Sequence, residues 1–125
     1  MSDRNAPLIH VARILIASLF ILGGVNKVMH YQDVLTTMTD ANLPVPGIVL
    51  PLVIALEFIG GSIVALGLRR HGLVALSLAA FTAATNLLLH DFWSLDGTAR
   101  QVELSLFFKN VVVIGALLHV AALDT

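Results

Sequence analysis

The sequence contains no cysteine and very little charge. The absence of cysteine excludes disulfide bonds, thiolate-held iron–sulfur clusters and thiol redox chemistry at the chain's own residues. Only 12% of the 125 residues are charged, whereas soluble domains carry roughly 25%. The formal net charge of −1 provides no basic field for nucleic acid, so we expect no nucleic-acid partner.

Long apolar runs make up much of the sequence, and 58% of all residues are hydrophobic. A bilayer core about 30 Å thick needs about 20 helical residues to cross it. Four segments meet this length, at residues 8–29, 48–68, 72–89 and 102–123. None alternates like a barrel strand. We therefore predict an all-α transmembrane four-helix bundle that forms one membrane domain over residues 1–125, with the lipid bilayer as its surroundings.

The first apolar run is interpreted as a retained span rather than a cleaved signal peptide. No small-residue cleavage site follows it convincingly, and Asn26 and Lys27 come directly after it. A multi-pass protein of the bacterial inner membrane is the expected result.

The distribution of lysine and arginine predicts the orientation, because cytoplasmic loops carry an excess of these residues. Four basic residues lie on one side, namely Arg4, Arg13, Arg69 and Arg70. The other side has Arg100, with Lys27 at a helix end. We therefore predict that the N-terminus, the C-terminus and the Arg69–Arg70 turn face the cytoplasm.

Ionisable side chains inside the spans need an explanation, because one at a helix centre costs about 2.5–3.5 kcal/mol on insertion scales. Counting along the predicted helices places Glu57 roughly 13 Å and Lys109 roughly 10 Å below the outer surface. Their similar depth and opposite charge predict an ion pair across the bundle interior. Such a pair is either part of a ligand site or a purely structural tie.

Further polar and aromatic side chains occupy the same outer half of the bundle. They are Lys27, Asn86, His90, Trp93 and Asn110. Together with Glu57 and Lys109 they predict a polar ligand-binding pocket. The alternative is that Lys27 extends to the membrane surface and that His90 and Trp93 belong to an interfacial belt.

Arg13 marks a second polar position, on the first span. Its stripe has spacings of 4, 3, 4 and 3, which places the members on one helix face: Arg13, Ala17, Phe20, Gly24 and Lys27. Arg13 is interpreted as a structural residue or a second polar site, or as a side chain that extends to the inner surface. No metal-ligand motif is visible, so we predict no metal site.

Four stretches, in this order and at these spacings, carry a resemblance to a known family: RILIASLFILGGVNK, EFIGGSIVALGLRR, HDFW and FFKNVVVIGALL. The chain resembles the DoxX family of small four-helix bacterial inner-membrane proteins over nearly its whole length. The family's name comes from an archaeal terminal oxidase and thiosulfate:quinone oxidoreductase system with a related membrane subunit. Other members resemble partners of soluble redox or detoxifying enzymes. The polar positions found by counting match the family pattern.

Three functions are compatible with these features. The favoured one is a membrane subunit of a redox-linked assembly that binds a quinone or similar lipid-soluble ligand in the outer pocket, where Lys109, His90 and Glu57 exchange hydrogen bonds and protons with it. The chain has no evident electron carrier, so it is at most an accessory subunit of a quinone-linked oxidoreductase. Its expected partner is a soluble redox enzyme. Quinone is the one cofactor considered. The first alternative is a non-catalytic scaffold or anchor that forms a homo-oligomer or recruits a soluble enzyme. The second is a small transporter or proton pathway, although no broken helix or inverted repeat is visible.

Overall fold

The computed structural model describes residues 5–124, and every regular element in that range is helical. Within this range, four helices are long and apolar enough to cross a membrane: α1 (Ala6–Met29), α3 (Pro46–Leu66), α4 (His71–Leu89) and α5 (Gly97–Leu123). A short helix, α2 (Tyr31–Asp40), lies between α1 and α3, and a 3₁₀ turn at Phe92–Ser94 precedes α5. The predicted all-α bundle with four transmembrane helices is confirmed.

The helix boundaries differ from the predicted ones mainly where the sequence at a helix end is polar. Helix α5 begins at Gly97 rather than at residue 102, because its first turn is polar and a count of apolar residues leaves it out. Helix α2 lies between the first two predicted spans, in a stretch that was not predicted as a helix. Its sequence YQDVLTTMTD is too short and too polar to span a bilayer, but three threonine hydroxyls bond to carbonyls one turn back, and Met38 is buried.

Helix α3 ends two residues earlier than predicted because Gly67 adopts a left-handed conformation, with φ of +62°. The Leu68 N–H donates to the Ile63 carbonyl at 3.1 Å, and the Gly67 N–H donates to the Val64 carbonyl at 3.2 Å. These two bonds form a Schellman motif, which satisfies the last carbonyls of a helix and favours glycine at the left-handed position. The short turn that follows makes α3 and α4 antiparallel neighbours.

Helix α1 packs along α3, and α4 packs along α5. The core between the helix pairs is apolar and contains Ala17, Val64, Leu78 and Leu117, each with no exposed surface. We call these four residues the apolar layer. Large apolar side chains cover the outer surface, including Leu15, Leu52, Leu87 and Val112. That surface suits lipid tails, which are as apolar as leucine.

The predicted stripe on α1 faces this core, since Arg13, Ala17, Phe20 and Gly24 are all buried. We call the membrane side that carries residues 30–45 and 90–96 the loop side, and the opposite side the terminal side. Arg4, which contributes to the predicted orientation, lies outside the described residues.

Candidate ligand-binding cavity and its polar residues

A single π-helical turn, Leu56–Gly60, interrupts α3 and carries Glu57. Pi turns are rare, occur mostly as one-turn insertions in α-helices, and are frequent at functional sites. Glu57 is 3% exposed, so its carboxyl group lies among the helices rather than in lipid. The sequence pattern alone does not indicate this turn.

The partner of Glu57 is Lys27, whose Nζ lies 2.6 Å from Glu57 Oε1. Glu57 Oε1 has no hydrogen bond of good geometry with any described residue, so the contact is an ion pair without a well-aligned bond. Gly23 makes room for the carboxylate, since a Cβ at that position would overlap Glu57 Oε2. Helix α1 therefore contributes both the countercharge and the space that Glu57 needs.

The predicted ion pair between Glu57 and Lys109 is wrong. Lys109 is exposed on the outer surface of α5 and forms no ion pair with any described residue. Counting residues along a helix gives the depth of a side chain in the membrane, but it does not give the direction in which the side chain points around the helix axis. Side chains lean toward the N-terminus of their helix. Lys27 on α1 therefore leans inward toward Glu57, whereas Lys109 on the antiparallel α5 leans toward the loop-side surface.

A cavity of about 570 Å³ opens beside the Lys27–Glu57 pair, and we call it the main cavity. Most of its wall is apolar and comes from α1, α2, α3 and α4. The apolar residues include Leu19, Phe20, Val34, Met38, Val49, Leu50, Val53, Phe81, Leu88 and Leu89. Polar groups enter the wall at Lys27, Glu57, Thr82, Thr85, His90 and Asn110.

Two asparagines join α4 to α5 behind this cavity. The Asn86 side-chain amide donates to the Phe107 carbonyl at 3.0 Å, and its oxygen accepts a bond from Asn110 Nδ2 at 2.9 Å. Asn86 is 3% exposed, and Asn110 lines the cavity. The bonds use both polar atoms of the Asn86 side chain and the amide nitrogen of Asn110, so their first effect is to fix the spacing of the two helices.

His90 lies at the loop-side end of α4 and lines the main cavity. Its Nδ1 donates to Glu103 Oε2 at 2.6 Å, with both side chains about a quarter exposed. Glu103 was not predicted as a site residue, because a glutamate in the polar first turns of a helix is ordinarily a surface residue. This bond orients the imidazole and leaves Nε2 available to a ligand.

Trp93 does not line the cavity. Its ring packs edge-on against Phe92 and Phe107, with ring centroids 5.3 and 5.9 Å apart, and about half of the residue is exposed. Arg100 lies over the Phe92 ring at 5.6 Å. The structure thus brings four of the seven predicted ligand-binding residues into the wall of the main cavity, namely Lys27, Glu57, His90 and Asn110. Asn86 is bonded to Asn110 but does not line the cavity, and Trp93 and Lys109 lie outside it.

Arg13 occupies a separate site on the terminal side. Its Nε donates to the Val64 carbonyl at 3.2 Å, and its Nη2 donates to His10 Nδ1 at 2.5 Å. The apolar layer separates this group from Glu57. The Arg13 side chain is therefore held inside the bundle and does not extend to the membrane surface.

Comparison with known proteins agrees with this architecture. The DoxX family model matches residues 8–91, which include Lys27, Glu57 and His90. The inner membrane protein YqjF of Escherichia coli K12 is 38% identical over 111 residues, covering 89% of this chain and 79% of that protein. The inner membrane protein YphA of the same organism is 27% identical over 114 residues, covering 91% of this chain and 81% of that protein.

No solved structure matches the chain significantly. The family model covers more than half of the sequence, and the YqjF alignment covers most of both chains. Four helices of membrane-spanning length accompany these matches. The chain is therefore a multi-pass membrane protein that belongs to the DoxX family.

Proposed function

We propose that this chain is a bacterial inner-membrane protein that binds a quinone, or a lipid-soluble ligand with similar hydrogen-bonding groups, in the main cavity. The observation that carries the proposal is the Lys27–Glu57 ion pair in the wall of a largely apolar cavity of about 570 Å³. Small-molecule sites typically occupy about 300–1,000 Å³ and combine apolar walls with a few convergent polar groups.

The polar groups of the cavity suit both the oxidised and the reduced form of a quinone. A quinone carbonyl accepts hydrogen bonds, and the Lys27 ammonium has donors beyond the one directed at Glu57. A quinol hydroxyl donates, and His90 Nε2 is an acceptor in the tautomer that the Glu103 bond selects. The ring and its tail would pack against the apolar wall, including Leu19 and Leu88.

Within this proposal the chain is an accessory subunit of a redox-linked assembly. Glu57 and His90 are the groups that exchange protons with the bound head group, as general acid–base chemistry requires. Electrons come from a partner, for which a soluble redox enzyme is the class suggested by the family resemblance. The excess of arginine on the terminal side, at Arg13, Arg69 and Arg70, supports a cytoplasmic position for that side.

The proposal is tested by adding a short-chain quinone to delipidated protein in mild detergent and measuring retention by native mass spectrometry. We expect one quinone per chain. Lys27→Gln and Glu57→Gln should each weaken retention about tenfold, because each removes a charged hydrogen-bonding group worth about 1.5–3 kcal/mol. Lys109→Gln is the matched control, since it makes the same change on a membrane lysine outside the cavity. Equal retention by all three variants contradicts the proposal.

A second candidate function is assembly with another copy of the chain through α5. Ser105, Lys109, Val112 and His119 recur at helical spacing on one exposed face of this helix, where Val112 is 71% exposed. An exposed lysine within a membrane span is costly, and small or polar side chains favour contact between membrane helices. A symmetric pair of α5 helices would remove that face from lipid.

Disulfide crosslinking tests the second candidate cleanly, because the chain has no cysteine of its own. Val112→Cys should form a crosslinked dimer in membranes under mild oxidation. Leu15→Cys, which lies on the lipid-facing side of α1 and is 65% exposed, should not. Similar crosslinking at both positions rules out a specific α5 interface.

The transport alternative is disfavoured by the apolar layer. Ala17, Val64, Leu78 and Leu117 lie between Arg13 and Glu57 and have no exposed surface. A polar track from one membrane side to the other would have to pass through these residues. We therefore expect no proton flux above background in liposomes that contain the purified protein.

A further inference from the structure

A second cavity, of about 160 Å³, lies on the terminal side between α1, α4 and α5. It is separate from the main cavity and has a different character. Three of its residues are basic or protonatable, namely His10, Arg13 and His71, and four are apolar, namely Ala6, Ile9, Val120 and Leu123. Its volume is several times the roughly 30 Å³ that one water occupies in the liquid. We call it the terminal cavity.

The central feature of the terminal cavity is a buried charge. Arg13 is 8% exposed, and a guanidinium stays protonated at any cellular pH. Its hydrogen bonds go to two neutral acceptors, the Val64 carbonyl and His10 Nδ1. Among residues 5–124 no carboxylate forms an ion pair with it. A buried charge without a countercharge is strongly unfavourable, so the site favours an anion.

Among the described residues, the carboxylate on the terminal side is that of Asp124, and it is engaged in other contacts. Asp124 Oδ2 accepts a hydrogen bond from the Gly72 N–H at 2.8 Å, and Oδ1 lies 3.7 Å from His71 Nδ1. These contacts tie the end of α5 to the start of α4. Arg13 Nη1 has no hydrogen-bond acceptor among the described residues.

The histidine beside Arg13 provides a further donor. Because His10 Nδ1 accepts from Arg13, the neutral ring carries its proton on Nε2. Arginine is the residue best suited to phosphate, since its planar fork matches two phosphate oxygens. The apolar residues of the cavity lie beside this polar group at the terminal-side end of the bundle, where an acyl chain beneath a phosphate would pack.

We propose that the terminal cavity binds a phosphate group, with Arg13 and His10 as donors and His71 at its edge. The source that suits the surroundings is the head group of an anionic phospholipid, because basic pockets between helices on the cytoplasmic side bind such head groups. Inorganic phosphate offers the same oxygens, and the experiment separates the two. This site is independent of the main cavity and of any quinone.

The experiment uses the full chain in mixed micelles that contain phosphatidylglycerol and phosphatidylcholine with identical acyl chains. Native mass spectrometry measures how many molecules of each lipid stay bound. We expect one retained phosphatidylglycerol and a clear preference over phosphatidylcholine. Arg13→Gln should weaken that retention about tenfold or more, as loss of a charged hydrogen-bond donor predicts. Arg69→Gln, which changes an exposed arginine on the same side, should retain it.

Two further arms make the result unambiguous. His10→Asn changes an exposed ring and leaves the core intact, so it tests the site even if Arg13→Gln fails to fold. Its control is His119→Asn, which changes an exposed histidine outside the cavity. Millimolar inorganic phosphate added before the lipid displaces phosphatidylglycerol only if free phosphate binds the same residues. Phosphatidylglycerol retention without competition supports a lipid site, and competition supports a phosphate site. Equal retention of both lipids, or retention unchanged in Arg13→Gln and His10→Asn, overturns the proposal.

Discussion

At the residue scale, the central feature is the contact between Lys27 and Glu57. Both residues were recognisable from the sequence as costly charges near a membrane span, and both were expected to belong to a polar pocket. Their pairing was not predictable, because counting gives the depth of a residue but not its direction around the helix axis. Neighbouring positions on α5 show the difference: Asn110 lines the main cavity, and Lys109, one residue earlier, is exposed.

Gly23 provides a direct test of this contact. A Cβ at position 23 would overlap the Glu57 carboxylate, whereas a Cβ on Gly115 meets nothing within 4 Å. Gly115→Ala should raise the free energy of unfolding by about 0.5–1 kcal/mol, the gain from alanine in a helix interior. Gly23→Ala makes the same change within a helix but forces the Glu57 carboxylate away from its position beside Lys27, so its free energy of unfolding should be about 1 kcal/mol or more below that of Gly115→Ala. Denaturant unfolding in detergent, followed by circular dichroism, measures both. Equal free energies of unfolding for the two variants would contradict the position of the carboxylate against Gly23.

At the element scale, the four membrane helices and the buried stripe of α1 were predictable because both follow from simple periodicities. Run length identifies a span, and spacings of three and four identify a helix face. The π turn in α3 and helix α2 were not predictable in this way. A π turn contains one extra residue, which rotates the following helix face but does not change the hydropathy of the segment. Helix α2 is too polar to be recognised as a span.

Helix ends provide a second test at this scale. Asp124 accepts a hydrogen bond from the Gly72 N–H in the first turn of α4, so it acts as a cap supplied by another helix. Asp124→Ala should lower the free energy of unfolding by about 1 kcal/mol, as loss of a helix cap does. Asp96→Ala is the matched control, because Asp96 stands at the start of α5 but makes no side-chain capping bond. Equal losses of stability in the two variants would contradict the assigned role of Asp124.

At the scale of the whole molecule, the bundle has two polar groups separated by an apolar layer. The main cavity belongs to the loop side and the terminal cavity to the terminal side, so each membrane surface has its own candidate ligand. Hydropathy was sufficient to predict the bundle. The cavities themselves depend on how helices pack, which residue spacing along one helix does not specify.

The orientation of the bundle is testable because the chain has no cysteine. Single cysteines at Arg69 and Asp96 mark the terminal and loop sides. If the excess of arginine on the terminal side sets the orientation, a membrane-impermeant thiol reagent should label Asp96→Cys, and leave Arg69→Cys unlabelled, in cells whose outer membrane has been made permeable. Labelling of Arg69→Cys alone would reverse the assignment.

The most direct test of the central claim is photo-crosslinking of a reactive quinone analogue in membrane vesicles, with the labelled peptides identified by mass spectrometry. If the main cavity binds quinone, the labels should fall on its residues, such as Met38, Leu88 and Leu89. Unlabelled quinone in excess should remove these labels, and Gly23→Ala should reduce them. Labels spread evenly over lipid-facing residues such as Leu15 and Val112, without competition by free quinone, would rule out quinone binding in the main cavity.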